Sequence, residues 1–321
     1  MRTLAALLCV LVTVGPAAAS PVTWRTITDF GPHDAARLAF RGGLVLRGPR
    51  AAGAISALLT EGLVFLAATD TGHFLSGRFA LDQGMLVALE DVTITPRRGA
   101  DGNFASAKRV GDAEALARGN GEIFVYVEAA RTLLAYPATG LAVDPDAIPR
   151  EVLLSVEERR VGGRGMEAMA RLGDGSLILI AEGRDGESRR TPGFILGKRR
   201  FNVARRNGFA ITGADVLPGG DVVIIERRYG GGFDVAMRVR RIGADAFTKG
   251  GQADGPVLLE ADFSAQIDNM EAIAADVVDG KIVLTLASDN NHSFLQRTLF
   301  LRFVVTDPVP VPNPRRRAAD G

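Results

Sequence analysis

The sequence predicts an all-β fold, a β-propeller of five or six blades, and three observations support this. Five segments repeat one plan: a short strand of small and apolar residues, a glycine turn, and a strongly apolar second strand. The units begin near residues 56, 114, 167, 214 and 271. A repeat of roughly 50 residues with several short strands per unit is typical of propeller blades. Helical periodicity is scarce throughout the chain.

Each unit contains a hairpin that turns on glycine. The five turn glycines are Gly62, Gly121, Gly175, Gly220 and Gly280, and glycine tolerates the positive φ that tight hairpin turns require. The second strand of each hairpin is apolar on both faces, as expected for a strand buried between neighbouring blades. Weaker strand segments follow and are expected to form the outer strands: 87–95, 151–156, 194–196, 236–242 and 298–305.

Segments near the two ends of the domain are expected to close the ring. Residues 44–46 are strand-like and apolar, and they can pair with the segment 298–305. Closure has a physical reason, because it removes the exposed sheet edges of an open array. The predicted propeller domain spans 24–306. A parallel β-helix is the structural alternative, although its coils repeat at much shorter intervals.

The chain ends differ from the domain between them. Arg2, an apolar run over 4–14 and the small residues 17–19 have the layout of a secretory signal peptide over 1–19. Export to the periplasm or the medium is therefore expected, with an uncleaved membrane anchor as the alternative. The apolar run is too short to span a bilayer, which needs about 20 residues. Residues 307–321 are rich in proline and arginine and are expected to form a disordered tail.

Composition excludes several classes of function. The only cysteine, Cys9, falls in the predicted signal peptide, so the mature chain would have no cysteine nucleophile, disulfide or cysteine-based metal site. Lysine plus arginine number 38 and aspartate plus glutamate 37, which gives no global field for nucleic acid or membrane. We expect a monomer that acts on a small anionic or ester substrate, without nucleic-acid binding or stable membrane insertion. The chain also lacks the G-x-S-x-G nucleophile elbow.

Carboxylates recur at matching places in the repeat, and propeller geometry would bring them to one channel. The first strand of four units carries Glu114, Glu167, Asp215 and Glu271, with Asp112 and Asp268 just before two of them. The second strands end on Asp70, Glu128, Glu182, Glu226 and Asp289. Crowded carboxylates repel unless a cation neutralises them, and Ca²⁺ prefers six to eight such oxygen ligands. The candidate ligands are Glu114, Glu167, Asp215, Asp268, Glu271 and Asp289. The alternative is that these acids cap strand ends or pair with arginines.

Arginines and histidines beside these acids are candidates for binding and proton transfer. Arg131, Arg184, Arg227 and Arg228 closely follow three of the strand-end carboxylates, and guanidinium groups bind anions in two-point fashion. Structural arginine–carboxylate pairs are the alternative. His73 and His292 both occur in an Asp-x-x-His sequence, in the first and last units. With Glu271, they are the candidate catalytic residues, and incidental loop histidines are the alternative.

Several motifs, taken together in order and spacing, resemble a known family. They are the segments 112–117, 165–170, 217–221, 226–228, 268–274, 288–291 and 297–303. They resemble the phytase-like family, described as "esterase-like activity of phytase", over roughly residues 35–305. The resemblance implies a propeller exported by a Gram-negative bacterium, ester hydrolysis, and a calcium site of the kind that acts on phosphate monoesters. The chain departs from that pattern at Asn290, where the family often has an aspartate, and in having only four lysines. The anion-binding role would then fall to arginine.

Two functions remain as expectations. The first is an exported phosphoric or carboxylic ester hydrolase with a calcium-dependent, acid-rich site in the channel. The second is a non-catalytic propeller that binds a small anion, a glycan or a protein. Propellers support many functions, so the fold cannot decide between them.

Overall fold

The computed structural model describes residues 20–306, apart from 34–36, 107, 163–164, 184–188, 232–233 and 250–251. The predicted signal peptide over 1–19, the predicted tail over 307–321 and Arg184 lie outside the described residues. Among the described residues, no helix is both long and apolar enough to cross a membrane.

The chain forms five sheets that are antiparallel apart from one short parallel pair, and four of them follow one another along the sequence. It begins with β1 (Thr23–Ile27) and β2 (Leu38–Arg47), which pair with each other. Blade one is β3 (Ile55–Glu61), β4 (Val64–Thr69), β5 (His73–Asp82) and β6 (Met85–Pro96). Blade two is β7 (Ala113–Arg118), β8 (Glu122–Val127) and β9 (Thr132–Thr139), with β10 (Ala142–Val143) and β11 (Arg150–Val152) both pairing with β9.

The remaining blades follow the same plan. Blade three is β12 (Met166–Arg171), β13 (Leu177–Ala181), β14 (Arg190–Ile195) and β15 (Arg199–Ala204). Blade four is β16 (Ala210–Val216), β17 (Val222–Tyr229), β18 (Val235–Ile242) and β20 (Val257–Asp262), and the short β19 (Gln252–Ala253) lies parallel to β15 in blade three. Blade five is β21 (Asn269–Val278), β22 (Lys281–Asp289) and β23 (Thr298–Val305). The helices are short: α1 (Lys108–Gly111), α2 (Val156–Gly162), α3 (Asp245–Thr248) and a 3₁₀ turn, Arg50–Ala52.

Strands from the two ends of the domain close the ring, as the sequence predicted. Blade five has the order β21-β22-β23-β2-β1, so its outer strands come from the start of the chain. In the closing pair, Leu44 lies opposite Phe300 and Leu46 opposite Thr298. The fold is thus a five-blade propeller, and the described residues contain no sixth blade. This joint hydrogen-bonds the first and last parts of the domain and leaves no seam between them.

The hydrophobic core lies between adjacent blades. Five buried clusters fill the five gaps. Between blades five and one, Phe300 packs against Phe65 and Phe79 with ring centroids 5.2 and 5.4 Å apart. The second strands are buried on both faces because each contributes side chains to two gaps, which explains their unbroken apolar sequence.

Local turn chemistry agrees with the prediction, whereas the order of the outer strands differs from it. All five predicted turn glycines have positive φ, between 62° and 95°. Of the segments expected to form outer strands, 87–95 lies in β6 and 151–152 lies in β11, and both strands are at the outer edge of their blades. Segments 194–196, 236–242 and 298–305 fall largely in third strands, and 151–156 covers part of β11 and the start of α2. The outermost strands other than β6 are short, and short strands leave little periodic signal in a sequence.

Candidate functional site

The innermost strand of every blade carries a β-bulge near its beginning. In each hairpin the register shifts by one residue at the same place, so one residue of the inner strand has no partner opposite. The bulged residues are Ser56, Glu114, Glu167, Thr212 and Glu271. A bulge redirects a side chain out of the regular alternation. Here it helps to bring three glutamates to the cavity at the propeller axis.

The second strand of each blade contributes a further polar residue. It directly follows the second-strand residue that pairs with the last inner-strand residue before the bulge, and the five such residues form a second ring. The pairs Ile55–Thr69, Ala113–Val127, Met166–Ala181, Ile211–Glu226 and Met270–Ser288 define it. The next residues along the second strands are Asp70, Glu128, Glu182, Arg227 and Asp289. Four blades therefore contribute a carboxylate to this ring, and blade four contributes a guanidinium.

Blade four differs from the alignment expected from sequence. Asp215 lies three residues beyond the bulge, and the bulge position itself is Thr212. The Asp215 carboxylate accepts hydrogen bonds from the backbone N–H groups of Val216 (2.7 Å) and Ala275 (2.8 Å). Burial raises its pKa to about 6. Asp215 thus joins two inner strands away from the bulge, and no hydrogen bond or ion pair joins it to the three glutamates among the described residues.

Glu226 is also displaced from the second ring, because Arg227 has its place. The Glu226 side chain is fully buried and accepts hydrogen bonds from Arg238 (2.8 Å) and from Arg240 (2.6 and 2.8 Å). Both arginines are at most 2% exposed. A buried carboxylate that faces two guanidinium groups is a structural ion cluster, since its charge is already compensated.

The three bulge glutamates surround a narrow cavity at the axis. Glu114, Glu167, Glu271 and Ser56 line it with small and apolar residues of the inner strands, and its volume of about 10 Å³ is room for about one water molecule. Burial raises the pKa of Glu114 and of Glu167 well above the ordinary value, and neighbouring carboxylates raise it further. Burial likewise raises the pKa of Glu271 to about 8, against the opposing effect of Arg227. The protein therefore holds several carboxyl groups where ionisation is unfavourable without added positive charge.

Arg227 is the guanidinium that extends into this cluster. It donates hydrogen bonds to Glu271 and Asn269, and its Nη2 lies 3.2 Å from Oε1 of Glu182. Asn269 also donates to Glu271 Oε1 at 2.7 Å. Glu271 is only 8% exposed, and its other oxygen, Oε2, is buried without a hydrogen-bond partner among the described residues. Arg227 therefore pairs with Glu271 and Glu182 but leaves Oε2 of Glu271 without a hydrogen-bond partner in the part of the chain that the structure describes.

Blade two contributes the part of the cluster best suited to a cation. One carboxylate oxygen each from Asp112, Glu114 and Glu128 lie within 4.8 Å of one another. Gly165 of blade three faces the same region with φ +80°, and a Cβ at this position would lie 2.8 Å from Oε1 of Glu128 and 3.1 Å from Oε1 of Glu167. The glycine thus keeps open a space between two carboxylates. Oxygen donors around an open space, with an orphaned carboxylate oxygen nearby, fit a hard divalent cation such as Ca²⁺.

The two Asp-x-x-His sequences occupy different environments. His292 Nε2 lies 3.3 Å from Oδ1 of Asp70, across the junction of blades five and one. Asp289 lies beside this pair, and burial raises its pKa to about 6. His73 instead contacts Thr71 (3.3 Å), and burial lowers its pKa. Ring closure therefore brings the histidine of the last unit to the aspartate of the first.

The remaining candidate residues lie around the edge of the cluster. Asp268 accepts from the backbone N–H (3.1 Å) and Nε (3.2 Å) of Arg297, which anchors the loop before β23. Arg228 pairs with Asp234 at 3.1 Å. The Arg131 side chain is exposed and makes no hydrogen bond or ion pair with a described residue. Its charge is close enough to Tyr126 to oppose the rise in that residue's pKa.

Sequence reasoning missed Ser56, Thr212, Gly165 and Asn269. A signal was present for the first two, because a small residue follows every bulge: Ala57, Ala115, Ala168, Gly213 and Ala272. The requirement is steric, since a Cβ on Gly213 would lie 2.8 Å from the backbone oxygen of Glu271 in the next blade. This pattern aligns Thr212-Gly213 with the glutamate–alanine pairs of the other blades.

A family comparison agrees with the sequence motifs. A model of the phytase-like family, described as "esterase-like activity of phytase", matches residues 50–292. The chain belongs to the phytase-like family. The region that matches contains all five blades' bulge positions and ends at His292. No curated protein matches this phytase-like chain.

Solved structures similar to the phytase-like chain are propeller proteins. The PQQ-bound aldose sugar dehydrogenase of Streptomyces coelicolor is 10% identical with a TM-score of 0.43, and the match covers 89% of this chain and 99% of that protein. An endo-arabinase of Bacteroides thetaiotaomicron is 8% identical with a TM-score of 0.46, and the match covers 82% and 97%. At these identities the likeness concerns the fold alone.

Proposed function

We propose that this phytase-like propeller is an exported hydrolase of phosphate or other esters with a calcium-dependent site at the axis. The observation that carries the proposal is the convergence of Glu114, Glu167 and Glu271 at the axis cavity, under a ring of further carboxylates. Burying several acids together is costly for folding, and carboxyl groups whose pKa values are strongly shifted by burial and by neighbouring charges cluster at functional sites. Membership of a family described by esterase-like activity supports the same conclusion.

The residues that would hold the cation are Asp112, Glu114 and Glu128, with Glu167 and Glu271 beside them. A bound calcium ion would supply charge neutralisation, polarisation of the ester and a lowered pKa for bound water. Arg227 positions two of the acids, because it pairs with Glu182 and Glu271 at once.

Two further groups act on the substrate in this proposal. Arg131 is a cation at the site without a carboxylate partner among the described residues, so it can bind an anionic group of the ester. His292 is the candidate proton acceptor, because its Nε2 lies 3.3 Å from Oδ1 of Asp70, which can orient the imidazole ring.

The test is hydrolysis by the purified protein. Turnover of p-nitrophenyl phosphate or a short-chain p-nitrophenyl ester is expected with calcium, is expected to stop with a chelator, and is expected to return when calcium is restored. Glu167→Gln removes a charge of the cluster and is expected to abolish turnover. Glu90→Gln, on an exposed position of β6, is the matched control and is expected to retain it.

A second variant addresses anion binding. Arg131→Ala is expected to raise KM for a phosphate monoester by about tenfold, the worth of a hydrogen bond between charged groups. It is expected to change KM for a neutral carboxylic ester much less. Stabilisation by calcium without turnover of either ester would contradict hydrolysis and favour the non-catalytic binding propeller.

Export is part of the proposal and has its own test. The mature protein is expected in the periplasm or medium of a Gram-negative host, and N-terminal sequencing is expected to begin at Ser20. Recovery of the intact amino terminus in the membrane fraction would instead support an uncleaved anchor.

A further inference from the structure

A large cavity adjoins the acid cluster on the same face of the propeller. It lies between blades four and five and has a volume of about 830 Å³. Glu182, Arg227 and Asn269 form the wall that it shares with the cluster, since these residues also contact Glu271 or one another. Cavities of this size hold small organic molecules. A substrate bound at the cluster would therefore extend into this cavity.

The outer wall of the cavity is apolar. Tyr229 is 66% exposed, Phe263 44% and Leu295 77%, and Val235 lies beside them. Exposure of large apolar side chains to water is unfavourable, and a ligand that covers them would gain the free energy of burying that apolar surface. Three such side chains around one cavity form an exposed patch next to a candidate active site, and patches of this kind mark ligand or partner surfaces.

The charged residues of the cavity are already paired. Arg227 pairs with Glu182 and Glu271, and Arg228 pairs with Asp234 at 3.1 Å. Asp268 pairs with Arg297 at 3.2 Å. The cavity thus offers apolar surface and hydrogen bonds but no surplus of positive charge. A ligand with many phosphate groups would find no set of free cations in it.

We infer that the substrate is a monoester with a single anionic group and an apolar alcohol portion, of about the size of an aryl or arylalkyl group. The inference rests on the proposed function and specifies its substrate class. The anionic group lies at the acid cluster, and the apolar portion packs against Tyr229, Phe263 and Leu295. A polyphosphate such as phytate is a poor substrate on this view.

A second cavity, on the other side of the loop 290–297, has the opposite chemical character, since it is lined by arginines. It has a volume of about 540 Å³ and is lined by Arg25, Arg47 and Arg50, and also by Arg297, which pairs with Asp268. No carboxylate lines it, so it suits a polyanion. It does not share the wall formed by Glu182, Arg227 and Asn269. If the substrate were a polyphosphate, these arginines and not the apolar wall would govern its binding.

The kinetic test compares ethyl phosphate with phenethyl phosphate, whose alkoxide leaving groups have similar reactivity. The value of kcat/KM is expected to be about tenfold or more higher for phenethyl phosphate, because burial of a phenyl ring favours binding by at least that factor. The double variant Tyr229→Ser and Leu295→Ser is expected to remove the preference, because kcat/KM for phenethyl phosphate falls to about the value for ethyl phosphate. Leu153→Ser, at an exposed site that lines neither cavity, is the matched control and is expected to keep the preference.

A binding measurement separates this inference from the proposed function. Calorimetric titration of the calcium-loaded protein with phenethyl phosphonate and with methyl phosphonate needs no turnover. Tighter binding of phenethyl phosphonate that is lost in the double variant supports the inference even if no ester is hydrolysed. Two results would overturn the inference. One is equal affinity for phenethyl phosphonate and methyl phosphonate, and the other is competition by phytate against phosphonate binding that disappears in Arg47→Ala and Arg50→Ala.

Discussion

The replacement Glu271→Gln tests the electrostatic description of the axis directly. Glutamine has nearly the same shape as glutamate but cannot ionise. In the metal-free protein, burial holds the pKa of Glu271 at about 8, compared with an ordinary value of 4.5. The folded state therefore favours the protonated carboxyl group, and the unfolded state favours the ionised one above the ordinary pKa.

The sign and size of the effect follow from this difference. A group whose pKa is raised by folding contributes stability that is present below its unfolded pKa and is lost as pH rises through its folded pKa. The rise from 4.5 to about 8, at about 1.4 kcal/mol for each pH unit, corresponds to about 5 kcal/mol. Metal-free wild-type protein should lose about that free energy of unfolding between pH 4.5 and pH 9 from this group. Glu271→Gln should lack that loss.

Urea unfolding followed by far-ultraviolet circular dichroism, in the presence of a chelator and across this pH range, measures the difference. Glu114 and Glu167 still titrate in the variant, so a smaller decline should remain. Glu90→Gln is the control and should follow the wild type, because that side chain is exposed. Calcium should restore wild-type stability at high pH but should stabilise Glu271→Gln less. If Glu271→Gln loses as much stability as the wild type between about pH 5 and about pH 9, the proposed rise in the pKa of Glu271 on burial is wrong.

Three further predictions concern the site and the fold. Gly165→Ala fills the space between Glu128 and Glu167 and should weaken calcium binding by about tenfold or more in a calorimetric titration, whereas Gly173→Ala, in an open turn, should not. Glu226→Gln leaves two buried arginines undercompensated and should lower the free energy of unfolding by about 3–5 kcal/mol, measured by urea unfolding; a loss below about 1 kcal/mol would argue against the buried ion cluster. Phe300→Ala opens a cavity at the closing strand and should cost about 3–5 kcal/mol; an unchanged thermal midpoint would argue against ring closure through that strand.

The sequence by itself determined the repeat and therefore the propeller. Glycine turns and apolar second strands recur at intervals that only a few folds use, and the segment 44–46 could be matched to 298–305 because both ends of an open array need a partner. Glu114, Glu167 and Glu271 could be aligned because glutamate–alanine pairs precede each glycine turn in those three blades. These features are local, so a linear reading captures them.

Only the tertiary structure decided which residues share the axis in blade four. The bulge and the pairing of Ile211 with Glu226 place Thr212 and Arg227 in the two rings, and they leave Asp215 and Glu226 outside them. Strand register depends on contacts with the neighbouring strand, and a shift of one residue moves a side chain to the opposite face. The pairing of His292 with Asp70 and the apolar cavity beside the acids likewise depend on contacts between residues far apart in the chain. No periodic pattern within a single blade carries that information.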